Sequence, residues 1–109
     1  MIYVSSPFSH PDPEIRKYRY LMVCRYVANL LENGYRAYSP IAHSEGLCQA
    51  CPQLKRTFSF WKDLDLDMLR RSDSIHVLKL DGYRQSVGVQ SEIAEARSCD
   101  IPVSYMSPV

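Results

Sequence analysis

The chain has 109 residues, of which 46% are hydrophobic, and its 13 basic and 12 acidic side chains leave a net charge of +1. This length predicts one domain over residues 1–109, and the near-neutral charge argues against a protein that coats a nucleic-acid polymer, so the expected partner is a small molecule. No stretch approaches the roughly 20 apolar residues of a membrane span, and we expect a cytoplasmic protein without membrane contact.

The first third of the chain predicts a strand, a long helix and a second strand. Ile2–Ser6 is a short apolar run that predicts a buried strand. Asp12 precedes a proline and a glutamate, which is typical of a helix start, and Gly34 is typical of a helix end about 20 residues later. The residues of this helix that keep apolar spacing, and that we expect to face the core, are Leu21, Cys24, Ala28 and Leu31. Tyr35–Ser39 predicts the second strand.

The remainder of the chain predicts two more helices and two more strands. Pro40–Lys55 predicts a long irregular segment, and long loops in small domains are often functional. Ser59–Ser72 has helical spacing, and Ile75–Leu80 is a strongly apolar third strand. A helix that contains Glu92 follows, and Ile101–Tyr105 predicts the last strand.

This alternation of strands and helices predicts the fold class. A single α/β domain is expected, with a doubly wound parallel sheet, helices on both faces and the flavodoxin-like strand order 2-1-3-4. In such sheets, ligands bind beyond the carboxyl ends of the strands where the strand order reverses, here between strands 1 and 3. The segments Ser5–Asp12 and Leu80–Gly88 follow those strands, so we expect them to form the ligand site.

Glu92 is the most informative residue, because helical spacing places it in the stripe of Val89, Ile93 and Ala96. A buried, ionised carboxylate is costly unless it is paired or lines a wet pocket. Glu92 is therefore a candidate catalytic or ligand-facing residue. A structural ion pair and a helix with a different phase are the alternatives.

Three acids alternate along the predicted second helix, and their helical phases differ. Asp63 and Asp67 are four residues apart on an expected solvent face. Asp65 instead shares a face with Trp61 and Leu69, which makes it the candidate for a second carboxylate in the crevice. A fully solvated acidic helix is the alternative.

Ser86 and Gly88 stand at the predicted start of the helix that carries Glu92. A helix start offers backbone N–H groups to an anion, and the helix dipole favours negative charge there. The two residues are therefore candidate contacts for an anionic group, although serine at such a position is also a common helix cap.

Three segments of the chain together form a sequence pattern that can be compared with known families. They are the opening Ile2-Tyr-Val-Ser-Ser-Pro-Phe8, the acids Asp65 and Asp73, and Ser86-Val-Gly-Val-Gln-Ser-Glu92. This set resembles the nucleoside 2-deoxyribosyltransferase superfamily, and most of all its 2′-deoxynucleoside 5′-monophosphate N-glycosidases and small uncharacterised bacterial and phage relatives. The resemblance covers nearly the whole chain except Ile41–Lys55. One departure is Gln90, which stands where that branch has a second glycine.

The resemblance implies an enzyme that cleaves the N-glycosidic bond of a nucleoside or its 5′-monophosphate, needs no cofactor or metal, and works as a homodimer or higher homo-oligomer. It implies Glu92 as the nucleophile and Asp65 as the assisting acid, with Ser86 and the Gly88 amide at the 5′-phosphate. The residues that would line the sugar and base pocket are Ser5, Ser6, Pro7 and Phe8. Hydrolysis and transfer to a second base both stay open. The alternative function is a nucleotide-binding or sensing module of the same fold without turnover.

The cysteines and histidines raise a further hypothesis. Cys48 and Cys51 form a CxxC pair that would give three zinc ligands with His43, but no fourth ligand is evident, so a loop with two free thiols is favoured. We also expect His43, which follows a predicted strand, to line the pocket. His76 lies inside an apolar strand and is expected to be a core histidine with a hydrogen-bond partner. The cysteines that we expect in the core are Cys24 and Cys99.

Overall fold

The computed structural model describes residues 1–109 and shows a four-stranded, all-parallel sheet. The strands are β1 (Ile2–Ser5), β2 (Ala37–Tyr38), β3 (Ser74–Leu78) and β4 (Val103–Met106). They lie in the order β2-β1-β3-β4, so the strand order reverses between β1 and β3. The helices are α1 (Pro13–Glu32), α2 (Pro40–Ala50), α3 (Phe58–Arg70) and α4 (Val87–Ser98). The predicted doubly wound α/β fold with strand order 2-1-3-4 is confirmed.

Successive side chains of a strand point to opposite faces of the sheet, and this rule divides the core in two. Tyr3 and Val77 face α3 and α4, whereas Val4 and Leu78 face α1. All four are fully buried, and burial of a side chain of this size stabilises the fold by about 1.5–3 kcal/mol. Ser5 lies two residues after Tyr3 and therefore also faces α4.

Both ends of α1 follow the predicted signals. The Asp12 side chain accepts a hydrogen bond of 2.9 Å from the backbone N–H of Glu14, and Pro13 occupies the first turn. After the helix, Gly34 adopts a φ of +86°, a left-handed conformation that residues with a side chain rarely take. Although α1 has 20 residues, neither it nor any other helix is long and apolar enough to cross a membrane.

The face that α1 buries differs from the predicted one. Leu21 and Leu31 are 54% and 53% exposed, whereas Arg19, Val23 and Tyr26 are buried. The Arg19 guanidinium tolerates burial because it donates to three backbone carbonyl oxygens. These carbonyls belong to Phe8, Ser9 and Asp81. Apolar spacing alone does not identify a buried arginine that is satisfied in this way, so the predicted stripe is wrong.

Most of the segment Pro40–Lys55 is helical rather than irregular, because α2 takes up Pro40–Ala50. The Ser39 side chain accepts a hydrogen bond of 3.0 Å from the backbone N–H of Ala42, and a proline occupies the first turn, as in α1. Between α2 and α3, only residues 51–57 lack regular secondary structure. The prediction is wrong because this capped start is a stronger local signal than the weak apolar pattern that follows it.

The four cysteines are free thiols in different surroundings. Cys24 is partly buried, but Cys99 is exposed at the position that follows α4, so its predicted place in the core is wrong. His76 is half-buried, and its Nδ1 lies 2.8 Å from the Tyr26 hydroxyl. The expected hydrogen-bond partner of this histidine is therefore present, although the ring is not fully inside the core.

Candidate active site

A cavity of about 130 Å³ opens beyond the carboxyl ends of β1 and β3, at the predicted place of the ligand site. Its walls come from the segment after β1, from α2 and from the segments that begin α3 and α4. The charged residues that line it are Glu45, Arg56, Asp65 and Glu92, and the larger apolar ones are Phe8, Ile41, Phe58 and Trp61. The cavity thus combines apolar walls with an excess of carboxyl groups.

Glu92 lies at the buried side of this cavity and is 4% exposed. One carboxylate oxygen accepts a hydrogen bond from the Tyr3 hydroxyl, and the other accepts one of 2.8 Å from Ser5 Oγ. The two donors lie on the same face of β1, which is why they reach the same carboxylate. No lysine or arginine pairs with Glu92. The predicted helical phase is confirmed, and a structural ion pair is excluded.

Asp65 reaches the same cavity from α3 and is 7% exposed. Its Oδ1 has no hydrogen-bond partner, and no cation pairs with the carboxyl group. Trp61 and Leu69 are buried on the same helix, as the predicted phase requires, whereas Asp63 and Asp67 are exposed. A buried carboxyl oxygen without a partner is costly. The Oδ1 of Asp65 is therefore available for a hydrogen bond to a ligand in the cavity.

Burial disfavours the charged form of both acids. It raises the pKa of Glu92 to about 7, although the hydrogen bonds from Tyr3 and Ser5 act in the opposite direction. Burial also raises the pKa of Asp65 to about 6. The pKa of Tyr3 lies well above its usual range, because of burial and the nearby Glu92, so this hydroxyl stays protonated and remains a donor. Between pH 6 and pH 7 the two carboxyl groups together therefore hold one proton, which lies mainly on Glu92 because its pKa is the higher of the two.

The start of α4 forms another part of the wall, with Ser86, Val87 and Gly88 at the cavity. Ser86 caps the helix, since its Oγ accepts a hydrogen bond of 3.2 Å from the backbone N–H of Val89. A Cβ atom at Gly88 would meet its nearest neighbour, a ring carbon of Phe58, at an ordinary distance of 3.7 Å. The protein itself therefore has room for a side chain at Gly88, and its absence leaves space for a ligand near the helix start.

Only some of the residues at the end of β1 and in the segment that follows it line the cavity. Ser6 and Phe8 line the cavity, and the buried Ser6 Oγ has no hydrogen-bond partner. Ser5 and Pro7 are fully buried and do not line it, so their predicted place in the pocket wall is wrong. Ser5 acts on the site indirectly, through its hydrogen bond to Glu92.

His43 does not line the cavity, in contrast to the prediction. It lies on an exposed part of α2, and its ring packs against Tyr38 and Trp61 at centroid distances of 5.9 and 6.3 Å. The prediction assumed a loop after β2, but the helix turns this side chain outward.

Two features of the site are not predicted by the sequence. Tyr3 holds Glu92, and the period of a strand was the one signal that could have paired it with Ser5. Glu45 and Arg56 form a two-pronged ion pair in the cavity wall, with distances of 3.1 and 3.2 Å. No local pattern indicates this pair, because the two residues are 11 positions apart and come from a helix and a coil.

The cysteine pair does not assemble a metal site. No group of three or more histidine, cysteine, aspartate or glutamate side chains is placed to hold a metal ion. Cys48 is buried, and its Sγ lies 3.9 Å from the carbonyl oxygens of Leu54 and Lys55, whereas Cys51 is exposed. The zinc hypothesis therefore has no geometric support, and the interpretation as two free thiols is retained.

The fold and the site define an α/β domain with an acidic cavity at the point where its strand order reverses. Its two inner carboxyl groups have no cation partner, and hydroxyl donors orient one of them. The chain belongs to the family described as a domain of unknown function (DUF1937), whose family model matches residues 1–108. No curated protein matches the chain.

Proposed function

We propose that this protein cleaves the N-glycosidic bond of a nucleoside or of its 5′-monophosphate, with Glu92 as the nucleophile. The observation that carries the proposal is the buried carboxylate of Glu92, which Tyr3 and Ser5 orient at the cavity beside a second acid, Asp65. Two carboxyl groups in one site are the usual machinery for cleavage through an oxocarbenium-like transition state. The sequence resemblance supports the same chemistry.

In the first step, a carboxylate oxygen of Glu92 attacks the anomeric carbon of the sugar. The bond between that carbon and the base nitrogen breaks, its electron pair goes to the nitrogen, and the proton of Asp65 neutralises the departing base. The product of this step is a glycosyl ester on Glu92. Tyr3 and Ser5 favour the ionised nucleophile, because both donate hydrogen bonds to the carboxylate.

In the second step, water attacks the anomeric carbon and breaks the ester, whose electron pair returns to the Glu92 carboxylate. The proton lost by the water passes to Asp65, which restores the starting state. A second free base in place of water would give transfer instead of hydrolysis. The active state carries one proton on the pair, and it is the minor form in which this proton lies on Asp65 and not on Glu92. Turnover is therefore expected to rise with pH through about 6 and to fall through about 7.

The start of α4 is the proposed place for the 5′-phosphate. Helix starts attract anions, and the missing side chain of Gly88 leaves room for one beside the cavity. The Ser6 hydroxyl lines the same cavity, is buried without a partner, and is available for a polar group of the sugar.

The test incubates the wild type, Glu92→Gln and a control, Glu95→Gln, with nucleosides and their 5′-monophosphates between pH 6 and pH 7. Base release, and exchange with a second free base, are followed by chromatography. Glu95 is a matched control, because it lies on the same helix but pairs with Arg70 at 3.3 Å. We expect turnover by the wild type and by Glu95→Gln, and a loss on the order of 10⁴-fold in Glu92→Gln.

Equal turnover by wild type and Glu92→Gln would contradict the assigned nucleophile. Nucleotide binding by both proteins, without turnover by either, would instead establish a binding or sensing module of the same fold.

A further inference from the structure

A second, larger hollow of about 570 Å³ lies beside the cavity, and we name it the basic groove. The segment after β1, the first two turns of α1, α2 and Arg56 form its walls. It shares four lining residues with the cavity, so one ligand could occupy both spaces. These shared residues are Phe8, Ser9, Glu45 and Arg56.

The charge of the basic groove is opposite to that of the cavity. Its ionised lining residues are Arg16, Lys17, Arg56 and Glu45, so three cations and one acid give +2. The whole chain carries only +1, which leaves a net charge of −1 outside the groove. Because Glu45 and Arg56 pair with each other, the two cations that are free to attract an anion are Arg16 and Lys17.

The free cations differ in how firmly they are held. The Arg16 guanidinium donates through Nη1 to the carbonyl oxygens of His10 and Pro11, and it forms no ion pair. Its Nε and Nη2 donors keep no partner in the protein, so the group is oriented but not saturated. Lys17 is exposed and makes no ion pair or side-chain hydrogen bond. An oriented guanidinium and an exposed ammonium that line the same groove are a suitable pair for a phosphate group.

We propose that the basic groove is an anion-binding subsite for a phosphate group of a ligand whose sugar occupies the cavity. The carboxyl groups of Glu92 and Asp65 would face the positive charge that develops at the anomeric carbon, and the groove would hold the negative charge. The assignment of the sugar rests on the proposed function, whereas anion binding by the groove can be measured without turnover. The phosphate in the groove is distinct from the 5′-phosphate proposed at the start of α4, so the ligand would carry a second phosphate group beyond that of a 5′-monophosphate.

The first arm of the test titrates inorganic pyrophosphate at low salt and measures affinity by calorimetry. The variants are Lys17→Gln, which removes a charge without a protein contact, and the double variant Arg16→Gln/Lys17→Gln. The control Arg25→Gln removes an exposed cation from the same helix, outside the groove. We expect the double variant to bind pyrophosphate about tenfold more weakly than the wild type. Lys17→Gln should lower the affinity by a smaller factor, and the control should bind as the wild type does.

Circular dichroism of each variant keeps this arm interpretable, since Arg16 also contacts the segment after β1. The proposal is overturned if wild type does not bind pyrophosphate, or if correctly folded groove variants bind as well as the wild type. It is also overturned if Gly88→Ala abolishes binding and the groove variants do not, because the anion would then lie at the start of α4.

The second arm asks whether the anion belongs to the substrate. For a substrate that carries this second phosphate, Lys17→Gln should raise KM at unchanged kcat, and the KM of the matching nucleoside 5′-monophosphate should not change. An equal rise for both substrates would contradict the assignment of a substrate phosphate to the groove. Failure of the glycosidase proposal alone would leave pyrophosphate binding intact, so the two failures are distinguishable.

Discussion

Helix α4 carries two glutamates that are three residues apart and have opposite surroundings. Glu92 faces the cavity, is buried and has no cation partner, whereas Glu95 faces outward and pairs with Arg70 at 3.3 Å. Burial raises the pKa of Glu92, and the hydrogen bond from Arg70 lowers the pKa of Glu95. Helical phase, not residue type, therefore decides which of these acids is available to a ligand.

The same division recurs on α3, the helix that packs beside α4. Asp65 is buried with one oxygen unpartnered, whereas Asp67 lies at the surface and pairs with Arg71 at 3.4 Å. Exposed pairs of this kind contribute little to stability, because water and salt screen them. We call Glu92 and Asp65 the inward acids, and Glu95 and Asp67 the outward acids. Each outward acid lies on the same helix as one inward acid, so its substitution is a matched control.

The largest expected difference between an inward and an outward acid on α3 is in turnover. Asp65→Asn should lower the rate of base release on the order of 10²-fold, because the departing base loses its proton donor. Asp67→Asn should leave the rate unchanged, since Asp67 points to solvent. Initial rates with the substrate identified for the wild type measure both effects. Equal rates for the wild type, Asp65→Asn and Asp67→Asn would contradict the assignment of Asp65 as the proton donor.

A smaller difference is expected in the pH dependence of stability. The pKa of Asp65 rises from 3.8 to about 6 in the folded state, so the folded protein binds more protons than the unfolded chain between those values. The stabilising contribution of protonated Asp65 is present below pH 4 and is lost as the pH rises through about 6. The contribution of Asp65 to the free energy of unfolding should therefore fall by on the order of 3 kcal/mol between about pH 4 and pH 7, and the raised pKa of Glu92 adds a loss in the same direction.

Urea denaturation of wild type, Asp65→Asn and Asp67→Asn at pH 4 and at pH 7 measures this loss. The stability of Asp65→Asn relative to the wild type should increase with pH, whereas Asp67→Asn should follow the wild type. A wild type and an Asp65→Asn variant that change in parallel would show that Asp65 is solvated or paired, and the contrast between the two acids of α3 would fail.

The features that the sequence predicts are those with a local or periodic signal. Asp12 with its proline marks the start of α1, strand and helix alternation predicts the sheet order, and the spacing of Glu92 from Val89 predicts its burial. The predicted phase of Asp65 also agrees with the structure. Each of these signals is either a short motif of nearby residues or the order of the elements along the chain, and none requires a contact between distant residues.

The features that the sequence does not predict depend on distant partners. A buried Arg19 requires carbonyl groups from two loops, and the position of His43 requires that α2 be a helix rather than a loop. Tyr3 and Glu92 are 89 positions apart, and only the folded sheet places the hydroxyl beside the carboxylate. The ligand-facing acids were therefore accessible from periodicity, whereas the residues that orient them were not.

Both inward acids, Glu92 and Asp65, are buried at the cavity without a cation partner. The most direct test of this arrangement is a titration of the carboxyl groups by nuclear magnetic resonance, which needs no substrate. Protein labelled with ¹³C would be titrated, and the side-chain carboxyl signals of Glu92, Asp65 and Glu95 followed. We expect pKa values of about 7 for Glu92 and about 6 for Asp65, and a value for Glu95 below that of an ordinary glutamate. Titration of Glu92 and Asp65 in the ordinary range near 4 would contradict the account, because neither acid would then be buried without a cation partner at the cavity.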